Sequence, residues 1–199
     1  DFGCGKSFTA RWYQQQAMMR GLAVAEVQIS ENDTPLHHLE TVYRRAMEGL
    51  RTAEWNTGAF RAVVSQWLLG LEEEVTCQLR DPDDLDALGR GVGDLLEARL
   101  AEVSAVQPQY AAVLRAYHAA QLHDEPAVAE GLIAWLMGQP NVAAEIKRKA
   151  GIKGDVDHTG ALGFFRGLLA VLQQCGRPGL LLVLDEVETI QRVRTDGRD

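Results

Sequence analysis

Gly3-Cys4-Gly5-Lys6-Ser7 at one end of the chain and Leu180-Leu181-Leu182-Val183-Leu184-Asp185-Glu186 near the other decide how this sequence reads. The first stretch is the last part of the pattern G-x-x-x-x-G-K-[ST]. Its physics is that of phosphate binding. Successive backbone N–H groups must curl around an anion, so glycines permit the close approach and the unusual backbone angles. A helix that starts at Lys6 points the positive end of its dipole at the same anion. Lys6 adds a point charge for β- and γ-phosphates, and the Ser7 hydroxyl is a ligand for Mg²⁺. The first glycine of the pattern would fall one position before Asp1, so the chain reads as a piece of a longer one. Taken alone, the stretch is equally a glycine turn before an ordinary helix.

The second stretch is a short, wholly apolar run, the signature of a strand buried on both faces. It closes on two carboxylates. In a P-loop fold such a strand lies near the phosphate loop, so Asp185 would hold Mg²⁺, mainly through water, and Glu186 would orient and polarise the attacking water. Alone, it is equally a buried strand that ends in solvated acids. One motif opens a helix and the other closes a strand, and this pairing is far more specific than either. The adjacent Asp-Glu also selects the P-loop division that activates water from the neighbouring acid, which includes AAA+-like ATPases.

Between these ends the chain has two characters. Phe8 to about Arg20 reads as a helix stopped by Gly21, and Leu22–Ile29 as a buried strand. Ser30–Pro35 is a polar loop, and Leu36 to about Leu50 is an amphipathic helix. From about Ala59 to Ala150 there are helices and no convincing strand. Asp81-Pro82-Asp83-Asp84 reads as a helix start with Asp81 as cap and Pro82 at the first position. Pro108 and Pro126 open two further helices. Ala161–Leu172 is amphipathic, with Gly176 just past its end. The expected fold class is therefore α/β. It comprises a truncated three-layer parallel-sheet P-loop core, residues 1–59 and 151–199, with a large all-helical insertion, residues 60–150. Val24–Ile29 and Leu180–Leu184 are expected as parallel neighbours.

Composition removes several classes. Among 199 residues the formal net charge is −8, so an overall basic footprint for nucleic acid is absent. No apolar run approaches the roughly 20 residues of a membrane helix, and no signal peptide is visible. Three scattered cysteines make neither a disulfide framework nor a CxxC site, which points to the reducing cytoplasm.

On Gly3–Phe8, the strand Val24–Ile29, Pro35-Leu36-His37, Val42-Tyr43-Arg44 and Leu180–Glu188 (LLLVLDEVE), the chain resembles the ATP-binding proteins of bacteriophage-exclusion (BREX) systems. These are P-loop ATPases of the AAA+/origin-recognition-like branch, from bacterial anti-phage defence. The resemblance covers both ends; the middle helices match only in kind. It implies ATP and Mg²⁺ as cofactors, with Gly3, Cys4, Gly5, Lys6, Ser7 and Phe8 around the nucleotide. Ser7 and Asp185 would be the metal ligands and Glu186 the catalytic residue. It further implies other defence-system proteins as partners, with DNA and a second copy as further candidates and no membrane.

Weaker features have bland readings. Arg192, Arg194 and Arg198 suit a solvated helix start better than a DNA contact. Lys147-Arg148-Lys149 with Lys153 suits a helix C-terminus. Cys4 is a small residue that fits its loop. His37 and His38 would point apart on a helix, and Trp67 and Trp135 fill the core. Glu72-Glu73-Glu74 is a solvated face. Residues 61–100 carry four basic and nine acidic side chains, which argues against that span as a DNA surface. The leading function is an ATP-hydrolysing motor or switch in phage defence. The alternative is a nucleotide-gated scaffold that binds ATP with little turnover and recruits partners.

Overall fold

Two glycines set where the strands begin. The computed structural model describes residues 5–81 and 83–187. Helix α1, Lys6–Met19, ends in a left-handed Gly21 (φ 80°), with Leu22 N–H bonded to Ala17 O and Gly21 N–H to Met18 O. Helix α8, Ala161–Gln174, ends the same way at Gly176 (φ 73°), with Arg177 N–H on Leu172 O and Gly176 N–H on Gln173 O. Both are Schellman closures, which only a residue without a Cβ penalty makes cheaply. Each turns a helix into a strand: β1, Ala23–Gln28, and β2, Leu180–Asp185. The strands pair in parallel with Ala23 opposite Leu180 and Gln28 opposite Asp185, as the sequence predicts.

Among the described residues, six further helices lie between β1 and α8: α2 (Leu39–Glu48), α3 (Ala59–Gln78), α4 (Leu85–Val106), α5 (Pro108–Leu122), α6 (Pro126–Leu136) and α7 (Ala144–Lys149). Pro108 and Pro126 sit at the first helical position of α5 and α6, where a missing N–H costs nothing. The start of α4 is later than the sequence suggests. Asp84, not Asp81, is the cap, accepting from Ala87 N–H at 2.9 Å. Asp81 Oδ1 instead accepts from Asp83 N–H, closing a turn ahead of the helix; Pro82 lies outside the described residues.

The three-layer parallel-sheet core expected from the sequence is not what forms. Among the described residues the sheet has two strands, and most of the rest is helix. The reason is in the chain itself: the helical periodicity of residues 59–149 leaves only two apolar runs short enough and β-rich enough to be strands. The apolar mass is correspondingly helical. One continuous core joins Ala23, Ala25 and Val27 of β1 to buried residues of α2, α3, α4, α5, α6 and α8. At its centre Tyr43, Tyr110, Trp135, Phe164 and Phe165 pack with ring centroids 5.0–5.9 Å apart. The Tyr43 hydroxyl donates to Leu136 O at 2.6 Å and Trp135 Nε1 to Gly154 O at 3.0 Å, so these buried polar tips are satisfied.

Candidate functional site

Side-chain alternation tells which face of the sheet each strand residue serves. Ala23, Ala25 and Val27 enter the main core. Val24, Glu26 and Gln28 therefore face the other way, toward α1. The Glu26 carboxylate confirms it, accepting from Gln14 Nε2 of α1 at 2.9 Å. Parallel partners in register share a face, so Val183 and Asp185, opposite Glu26 and Gln28, also lie on the α1 side.

The Gln14–Glu26 bond also fixes where α1 begins. The Gly21 turn makes α1 run antiparallel to β1. Lys6 lies eight residues before Gln14, about 12 Å along the helix. The end of β1 lies two residues past Glu26, roughly 7 Å along the strand. The start of α1 thus projects about 5 Å beyond the carboxyl ends of both strands. Gly5, Lys6, Ser7 and Phe8 are brought to the same end and the same face as Asp185, with Glu186 following it. Gly3 and Cys4 lie outside the described residues.

The local geometry suits an anion. Gly5 is left-handed (φ 73°), and a Cβ built there would meet nothing within 4 Å. Its carbonyl accepts from Thr9 N–H, so the helix begins at once. The N-cap residue, Gly5, has no side chain to offer, and the first turn of α1 carries no acid. The first-turn N–H groups and the positive end of the helix dipole are thus of the kind that attracts an anion. Lys6, Ser7 and Phe8 are exposed, Phe8 by 76%. At the strand end, Asp185 O accepts from Ile29 N–H, and Asp185 Oδ1 from Glu186 N–H at 2.9 Å. Glu186 holds a left-handed backbone (φ 58°), costing a non-glycine residue roughly 1–2 kcal/mol. Among the described residues no group of three or more His, Cys, Asp or Glu is placed to hold a metal by itself. A Ser7–Asp185 metal site would be completed by phosphate oxygens and water.

Sequence reading missed the polar parts that hold this end together. Gln14 is almost fully buried and bridges Glu26 to Arg51, whose Nη2 donates to Gln14 Oε1. Arg51 is itself bridged to Val24 through both backbone groups, an antiparallel contact 27 residues away. Ser30 Oγ accepts from Asp33 and Thr34 N–H, and Ser30 N–H bonds Thr34 O, closing the loop after β1. Glu26, Gln28, Ser30 and Thr34 line an open depression of about 610 Å³ beside the site. Its only signal in the sequence was the polar loop itself.

The weaker features resolve as follows. His37 and His38 precede α2 rather than sit on it, and their rings meet at 4.5 Å instead of pointing apart. Lys147, Arg148 and Lys149 end α7 and pair with Asp155, Glu145 and Glu125, which leaves little free positive charge for DNA. Trp67 and Trp135 are buried. Arg192, Arg194 and Arg198 lie outside the described residues. Among the described residues no helix is long and apolar enough to cross a membrane.

A family model, that of the BREX system ATP-binding protein BrxC/D, matches residues 1–199. No curated protein and no solved structure matches the chain.

Proposed function

This chain belongs to the family of the BREX system ATP-binding protein BrxC/D, and from that premise we propose that it binds and hydrolyses ATP where α1 begins. The N–H groups of Lys6, Ser7 and Phe8, at the helix start after the left-handed Gly5, would donate to the β-phosphate, with Gly3 and Cys4 as further nucleotide-binding residues in this reading. The Lys6 ammonium sets its charge against the β- and γ-phosphates. Ser7 and Asp185 would hold Mg²⁺, which would neutralise charge on the phosphates. Glu186 accepts a hydrogen bond from the attacking water and takes its proton. Turnover then drives a motor or switch in anti-phage defence, working with other defence-system proteins. DNA and a second copy are further partners in this reading.

The observation that carries the reading is the shared face. Asp185 and the Gly5-capped start of α1 occupy one side and one end of the sheet, brought there by segments 179 residues apart. The left-handed backbone at Glu186 supports it further, since a solvated strand end has no need of that conformation. The test is equilibrium ATP binding by calorimetry. Lys6→Ala removes the charge on the phosphates and is expected to weaken binding at least tenfold. Unchanged affinity in a folded variant would refute the assignment.

A further inference from the structure

A groove of about 610 Å³ runs along α3, away from the α1 end of the sheet, with walls from α4, α8 and Trp55. Ala62, Gln66, Leu69, Gly70 and Glu73 lie on it at helical spacing, one stripe of α3 about 16 Å long. The walls are built. Trp67 Nε1 donates to Gln174 Oε1 at 2.7 Å, and Gln174 Nε2 donates to Arg99 O and Glu102 Oε2. This chain ties α3, α4 and α8 together behind the groove.

Three independent features of the groove are not explained by packing within the chain. Leu69 is 56% exposed. Gly70 sits mid-helix with a normal negative φ, and a Cβ there would meet nothing within 4 Å. Glycine is unfavourable inside a helix, yet nothing in this chain requires its absence of a side chain. A close approach by another backbone would. Glu73 has no ion-pair partner among the described residues, whereas the cations at the groove are already held, Arg99 by Glu74 at 2.9 Å and Arg177, which lies over Trp55, by Glu54 at 2.8 Å. The unbalanced charge at the groove is therefore negative, within a span, residues 61–100, of net charge −5.

We propose that the α3 groove is a docking site for an amphipathic basic helix of a partner protein. Small residues at 62 and 70 let a helix backbone lie close along α3. Its apolar anchors pack on Trp55 and Leu69, and its Lys or Arg residues meet Glu73.

The probe is an 18-residue Leu/Lys amphipathic peptide, with a Leu/Glu peptide of the same spacing as control. Binding is followed by the fluorescence of Trp55 and Trp67 and by calorimetry. The Leu/Lys peptide is expected to bind saturably and at least tenfold more tightly than the Leu/Glu peptide. Gly70→Leu, which fills the groove, should weaken it at least tenfold while the melting temperature does not fall. Glu73→Lys, which leaves the groove's shape intact, should weaken it severalfold, and raised salt should do the same to the parent. Equal affinity of parent and both variants, or equal binding of both peptides, overturns the proposal. So does self-association of the protein that Gly70→Leu abolishes, which would assign the groove to a second copy.

Discussion

Replacing Gln14 by Leu tests whether α1 is pinned to the sheet as its geometry implies. Leucine fills nearly the same volume, so the change removes two hydrogen bonds without opening a cavity. Both partners are charged: Glu26 Oε2 accepts from Gln14 at 2.9 Å, and Arg51 donates to it. Hydrogen bonds to charged groups contribute roughly 1.5–3 kcal/mol each, so the upper bound is about 3–6 kcal/mol. Two facts reduce it. Glu26 and Arg51 are 41% and 33% exposed, so water reaches both, and they stand 3.7 Å apart, close enough to keep an ion pair. The expected loss is therefore about 2 kcal/mol, read as a lower urea midpoint with an unchanged m-value. Freed of its pin, the start of α1 is no longer held over Asp185, and ATP affinity should fall with stability. A loss below about 0.5 kcal/mol would show that Gln14 does not anchor α1, and the derived projection of the helix start would lose its support.

Two glycines make a paired test of packing. Gly70→Ala meets open space and should stabilise by about 0.5–1 kcal/mol. Gly167→Ala would put its Cβ 2.7 Å from the buried ring of Tyr110 and should instead cost about 1–3 kcal/mol; both are read by thermal melts, and equal shifts would contradict the packing. Glu130, Glu97 and Glu54 have carboxyls held below their ordinary value of 4.5, the first two by hydrogen bonds from Arg61 and Arg115, the third by Thr52 and then Arg177. A lowered native value means the unfolded chain binds protons first. Their contribution is therefore whole above pH 4.5 and lost as pH falls through the lower native values. Arg61→Gln should flatten the acid limb of the stability–pH curve, and an unaltered limb would refute this. The Cys175 thiol is pushed up to about 11 by burial, whereas Cys77 is exposed. At pH 8 iodoacetamide should label Cys77 well before Cys175 by peptide mapping; equal rates would contradict the burial.

The turns and their punctuation were legible in the sequence. Gly21 and Gly176 announced the two helix ends, and Pro108 and Pro126 the two helix starts, because each residue type has one local task there. The parallel pairing of β1 and β2 was legible from two apolar runs, each following a glycine-capped helix. The sheet's extent was not: among the described residues it has two strands, and the apolar mass of residues 59–149 packs helix on helix. The motifs at the two ends point to a sheet core, whereas the helical periodicity of the middle supplies the bulk of the apolar core. Asp81 reads as a cap because three acids and a proline stand together, and only geometry picks Asp84 from among them. At the candidate site, Lys6, Ser7, Asp185 and Glu186 stood out through residue type and spacing. Gln14, Glu26 and Arg51 did not, because a buried glutamine that bridges a strand to a residue 37 positions away has no local pattern.

The most direct measurement is single-turnover and steady-state ATP hydrolysis by Glu186→Gln beside the parent, with ATP binding measured on the same samples. The substitution keeps the shape at Glu186 and removes its basicity, and it leaves untouched Lys6, Ser7 and Asp185, the residues proposed to hold nucleotide and Mg²⁺. Binding within about twofold of the parent and hydrolysis lower by on the order of 10²-fold is the expected result. Hydrolysis at the parent rate would contradict Glu186 as the water-activating residue, and loss of binding in step with hydrolysis would contradict the separation of roles between Asp185 and its neighbour.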